Sequence, residues 1–85
     1  MSPVLAAKLL TLLTLAEVWL KMRSDADLER AHKEMRELLD FPPDGAEMEF
    51  VRLLRQADIW WQRSLLGEVA RCHAEMRALL EGCVK

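Results

Sequence analysis

Apolar positions recur at steps of three and four along nearly the whole chain, the spacing of amphipathic helices. From residue 69 onward they run Val69, Cys72, Met76, Leu79 and Cys83, and between 28 and 38 they run Leu28, Ala31, Met35 and Leu38. A third segment gathers Phe50, Leu53, Leu54, Ala57, Trp60 and Trp61 on one face. Arg52, Arg55, Gln56, Gln62 and Arg63 lie opposite, with Ile59 the one apolar member among them. The first segment repeats that inner face with Leu9, Leu12, Leu13, Ala16, Trp19 and Leu20. It also carries a second stripe, Leu15, Val18 and Met22, with Val4 further up. The patterns and their punctuation predict four helices. The first runs from about Pro3, capped by Ser2, to Arg23. The second runs from a cap at Ser24 or Asp25 to about Asp40. Phe41-Pro42-Pro43-Asp44-Gly45 then reads as a linker, because two prolines cannot continue a helix and Gly45 permits a turn. The third helix begins near Ala46 or Glu47 and reaches about Arg63. The fourth ends near Gly82, and the boundary between the two falls somewhere in Ser64–Gly67. Charges at i,i+4, namely Glu29/Lys33, Arg30/Glu34 and Arg71/Glu75, are expected to pair along the outer faces.

The two halves of this pattern are one pattern. Shifting the chain by 41 residues places Leu12-Leu13 on Leu53-Leu54 and Ala16 on Ala57. The same shift places Glu17 on Asp58, Val18 on Ile59 and Trp19 on Trp60. Further on, His32 meets His73 and Glu34-Met35-Arg36 meets Glu75-Met76-Arg77, with no gap from Leu10 to Asp40. A shared Trp, His and Met in one register indicates a duplicated helical hairpin. The expectation is a single all-α domain over residues 1–85, with unit one at 3–41, a linker at 42–45 and unit two at 46–83. One hairpin cannot bury its own apolar face, and two can, either as a four-helix bundle or as a short stack of hairpins.

Composition agrees and narrows the function. Hydrophobic residues make up 52% and charged residues 31%, which suits a globular chain. A net charge of −2, with Arg interleaved among Glu, argues against nucleic acid, whose phosphates need a basic face. Cys72 and Cys83 sit eleven residues apart on one expected helix, ~16 Å by helical rise, too far to bridge. They read as reduced thiols of a cytoplasmic protein. Residues 9–15, LLTLLTL, are apolar, but a signal peptide is disfavoured because the repeat runs through the only cleavage-like point. The same run is too short and interrupted to suggest a membrane span.

No catalytic constellation assembles: there is no Gly-rich phosphate loop and no nucleophile with a base and an orienter. His32 and His73 occupy equivalent places beside the apolar seams. The plain reading is a pair of boundary residues, each wetting one nitrogen. The alternative is a bundle centred on the two histidines that holds a metal, haem or small apolar ligand. Glu29-x-x-His32 has the form of a di-iron helix motif, but the second copy reads Ala70-Arg71-Cys72-His73 and lacks the carboxylate. Glu17 and Asp58 fall on polar faces. No catalytic, cofactor or metal residue is therefore assigned.

The second stripe of helix 1 is the feature that asks for a partner. A helix apolar over most of its circumference is normally buried all round, so either helices 2, 3 and 4 cover it or another chain does. On the second reading Leu15, Val18, Met22, Ile59 and Trp60 form a surface that buries an amphipathic helix, from another protein or from a second copy, as a homodimer or heterodimer. Ala31, Met35, Leu38 and Leu39 with Pro43 closing, and Leu15, Val18 and Met22 before them, resemble the positions of tetratricopeptide hairpins. The period is 41 rather than about 34, and Trp19 stands where that family has a small residue. The resemblance implies an adaptor-like scaffold that cradles a partner's helix or peptide, as small cytoplasmic secretion chaperones do.

Overall fold

Helix starts follow from side chains that satisfy the free N–H groups of the first turn. The computed structural model describes residues 1–39 and 44–84 and places four helices in them: α1 Pro3–Met22, α2 Asp25–Leu38, α3 Gly45–Gln62 and α4 Leu66–Val84. Ser2 accepts from the Leu5 N–H at 3.1 Å, with Pro3 in the first turn. At α3 the cap is Asp44, which accepts from the Glu47 N–H at 2.8 Å while its own N–H donates to the Glu47 carboxylate at 3.1 Å. This reciprocal box draws Gly45 into the helix as its first residue, so Gly45 does not serve the turn expected of it. Phe41, Pro42 and Pro43 lie outside the described residues.

Each hairpin turns through the same device at equivalent places. Arg23 and Ser64 both adopt left-handed backbone, with φ of 58°. The next N–H closes back on a tryptophan carbonyl, Ser24 to Trp19 at 3.0 Å and Leu65 to Trp60 at 2.9 Å. This is the closure that satisfies orphan carbonyls at a helix end. It resolves the open boundary at Ser64–Gly67: the chain turns at Ser64, and Gly67 is already inside α4.

α1 packs along α2 and α4, and α3 packs along α4; α2 and α3 share only a thin seam, and the backbones of α1 and α3, like those of α2 and α4, do not approach closely among the described residues. The helices therefore form a ring in chain order, 31 × 20 × 19 Å in extent. Repeat equivalents sit on diagonals, α1 opposite α3 and α2 opposite α4. In a stack of hairpins the equivalents would follow one another by translation; here they are related by an approximate twofold rotation, which makes a closed four-helix bundle. The centre holds Leu9, Leu13, Leu28, Met35, Phe50, Leu54, Met76 and Leu80, all fully buried. Each large apolar side chain contributes ~1.5–3 kcal/mol by leaving water. Ala6, Ala16 and Ala57 let the backbones approach.

Three readings of the sequence change here. Of the two readings left open for α1, cover by the other three helices does not hold: α2 and α4 flank it, and α3 stands across the diagonal. Only its inner face, Ala6, Leu9, Leu13, Ala16 and Leu20, is buried. Taken as a whole, this 20-residue helix is also long and apolar enough to cross a membrane by length and composition, which the short run at 9–15 did not suggest. The expected i,i+4 ion pairs do not form among the described residues. Arg30 pairs with Asp27, Lys33 with Glu37, and Arg71 with Glu68. All are solvated and contribute little to stability.

The left-handed turns generate a stability test. Ser64→Gly removes a side chain from strained backbone and should raise folding stability by about 0.5–1 kcal/mol, read as a higher urea midpoint at unchanged slope. Ser64→Val should lower it.

Candidate functional site: a buried histidine pair and an exposed helix face

Because α2 and α4 are diagonal partners, the seam positions of both point at the bundle axis. His32 and His73 therefore meet in the core, each 1% exposed, and are not the half-wetted boundary residues the sequence suggested. Their Nε2 atoms lie 3.0 Å apart and their rings are perpendicular, with centroids 5.2 Å apart. His32 Nδ1 faces Asp58 Oδ1 at 2.8 Å, and the other oxygen of Asp58 accepts from Arg36. Asp58 was expected on an outer polar face. It stands instead in the α2–α3 seam, half-buried. Burial there pushes its carboxyl up, but His32 and Arg36 outweigh burial and hold it below the usual carboxylate range.

The rotated copy of this arm runs through the α1–α4 seam. Glu17, the equivalent of Asp58, is likewise half-buried, not outward-facing. It accepts from Arg77 Nε at 3.2 Å and from Nη2 at 2.5 Å, while Arg77 also donates to Thr14 at 2.8 Å. Both of its oxygens are thus spent on the arginine. His73 Nδ1 is left buried with no hydrogen-bond partner among the described residues. The symmetry of the sequence is broken at one link.

Proton accounting assigns the tautomers. A carboxylate beside His32 Nδ1 requires a proton on that nitrogen. In the neutral pair, His32 Nε2 must then accept, so His73 Nε2–H donates to it. That leaves His73 Nδ1 as a bare lone pair. Burial first, and the neighbouring His32 second, push the His73 imidazolium down to about 4. Burial pushes the Cys72 thiol up, so it stays protonated and unreactive; Cys72 and Cys83 are both free on α4.

The geometry does not assemble the motifs weighed in the sequence. Glu29 is exposed and lines a groove of about 620 Å³ between α2 and α3 with Lys33, Arg36 and Trp61, away from the His32 ring. No group of three or more His, Cys, Asp or Glu is placed to hold a metal ion among the described residues. Zinc at its usual bond lengths would spread two tetrahedral ligand nitrogens to ~3.3 Å, whereas here they share a hydrogen bond.

The residues expected to receive a partner divide into two places. Leu15 and Val18, each 43% exposed, and Met22, 65% exposed, share the outer side of α1 with Val4. Ile59 is also exposed, but on α3 across the diagonal, beside Met48 and Val51. Trp60 is half-buried against the core, with the Arg63 guanidinium 5.8 Å from its ring centroid. The five do not form one surface. Val18 and Ile59 are repeat equivalents, and a twofold rotation carries equivalents to opposite sides. Comparison with protein-family models, with curated proteins and with solved structures finds no match.

The buried pair makes folding sensitive to acid. An unfolded histidine takes a proton near pH 6.5, whereas His73 in the fold resists it to about 4. The unfolded chain binds more protons in that window, so stability is full above pH 6.5 and falls as pH drops toward 4, by on the order of 3 kcal/mol. Urea titrations at pH 7 and pH 4.5 read this loss. His73→Leu should flatten the histidine part of the slope.

Proposed function

We propose that this chain is a non-enzymatic protein-interaction module whose α1 outer face receives an amphipathic helix, from another protein or from a second copy. The observation that carries the reading is the row of exposed positions on α1. Val4, Lys8, Thr11, Leu15, Val18 and Met22 step by four and three along ~27 Å of helix, opposite a complete core. That spacing is the seam by which one helix packs on another. Four large apolar side chains stand exposed in it, although no packing need of the bundle requires them there. Burial at roughly 25 cal/mol per Å² supplies the affinity, less the cost of ordering both partners.

Ile59 and Trp60 fall outside this face and are not assigned to it. The alternative, a bundle that binds a metal, haem or small apolar ligand at His32 and His73, has the opposite support. The two Nε2 atoms that would ligate share a hydrogen bond with each other.

Val18→Asp combined with Met22→Glu tests the reading. Both positions are exposed, so the double variant should keep its helical spectrum and stay within about 1 kcal/mol of the parent in stability. Self-association in sedimentation velocity, or cross-linked capture of a partner, should weaken at least about tenfold. A variant that unfolds would make the stripe core. One that folds with unchanged association would end the proposal.

A further inference from the structure

His73, with its one unmatched nitrogen, shares a groove with a carboxylate that serves only an arginine. His73 lines a groove of about 250 Å³ between α1 and α4, together with Glu17, Leu20, Lys21 and Ala70. Glu17 is the repeat equivalent of Asp58, and Asp58 shows how such a carboxylate serves two groups: one oxygen on His32, the other on Arg36. Glu17 gives both oxygens to Arg77, the equivalent of Arg36. It can release one without losing the arginine. The charged and titratable groups around His73 are Glu17 and Lys21 from α1, His32 with Arg36 beyond it from α2, Asp58 from α3, and Arg77 on its own helix.

We propose that the His32–His73 pair is an acid sensor in which a proton captured at His73 Nδ1 draws one oxygen of Glu17 from Arg77 onto His73. A solvent proton adds to the bare lone pair, and the ring becomes an imidazolium with one N–H at each nitrogen. Its Nε2–H continues to donate to His32 Nε2, so the buried pair stays intact. Its new Nδ1–H donates to Glu17. Every buried nitrogen then has a partner, in one chain of contacts: Arg36, Asp58, His32, His73, Glu17, Arg77. The neutral state leaves one buried atom unsatisfied, which costs about 1–3 kcal/mol, and the protonated state repairs it. The device sits in the seam that holds α1 against α4, and it stands independently of what docks on the outer face of α1.

Nitrogen-detected NMR of the whole chain between pH 7.5 and pH 3, a span that passes through the His73 midpoint near 4, tests it. At the upper end His32 should carry its proton on Nδ1 and His73 on Nε2. On acidification His73 Nδ1 should gain a proton, and the Arg77 Nε–H signal should move with the same midpoint as its bidentate contact opens. The Arg36 signal should not follow. Glu17→Gln should lower the His73 midpoint by about one pH unit or more and abolish the Arg77 response. An Arg77 signal that stays still through the His73 titration of the unaltered chain overturns the proposal. So does a chain that unfolds at that same midpoint, or a Glu17→Gln variant whose His73 midpoint is unmoved. If Glu17→Gln does not fold, the unaltered chain alone decides, through the Arg77 signal.

Discussion

A hydrogen bond between two imidazoles at the centre of an apolar core constrains everything around it. His73 already carries one buried nitrogen without a partner, and breaking the contact would strand two more ring nitrogens, at a cost that is a sizeable part of a small domain's stability. The Nε2–Nε2 contact ties α2 to α4 across the bundle and fixes the register of one hairpin against the other. From that register Asp58 arrives in the α2–α3 seam and Glu17 in the α1–α4 seam. Apolar packing alone is non-directional. The histidine pair adds a directional contact that a slipped register would break.

The two arms that flank the pair show how a duplicated sequence settles into unequal halves. Asp58 divides its oxygens between a histidine and an arginine, whereas Glu17 spends both on an arginine. The difference is not in which residues face each other, since carboxylate, histidine and arginine recur in the same order. It lies in proton count. A pair of neutral histidines has two N–H groups for four ring nitrogens. Once Asp58 and the Nε2–Nε2 bond have claimed both, nothing remains to donate to Glu17. The asymmetry follows from the chemistry of the core, with no need for a difference in packing.

Closing the ring by rotation also determines which surfaces face outward. In a rotated pair of hairpins each helix has two neighbours and one diagonal, so no helix is enclosed. α1 is richer in apolar residues than that position needs, and the excess stands in solvent as Val4, Leu15, Val18 and Met22. The equivalent face of α3 carries Arg52, Arg55 and Gln56 with Ile59, a more ordinary solvated surface. The unequal loading of the two first helices is what the proposed docking of a helix on α1 rests on.

Much of this was legible in the residues taken in order. The four helices, the cap at Ser2, the start of α2 at Asp25, the internal repeat and the inner faces all follow from short-range rules of spacing, propensity and capping. Those rules act within a few residues and do not depend on neighbours. The same rules located the stripe on α1 but not its fate, because periodicity tells which side of a helix is apolar and not what covers it. Whether the second hairpin follows the first by translation or by rotation is a long-range choice, made by the packing of all four helices at once. That choice moved His32 and His73 from a supposed boundary to the core, and turned Glu17 and Asp58 from solvent toward the seams. It also separated Ile59 from Val18, because a twofold axis sends equal residues to opposite sides.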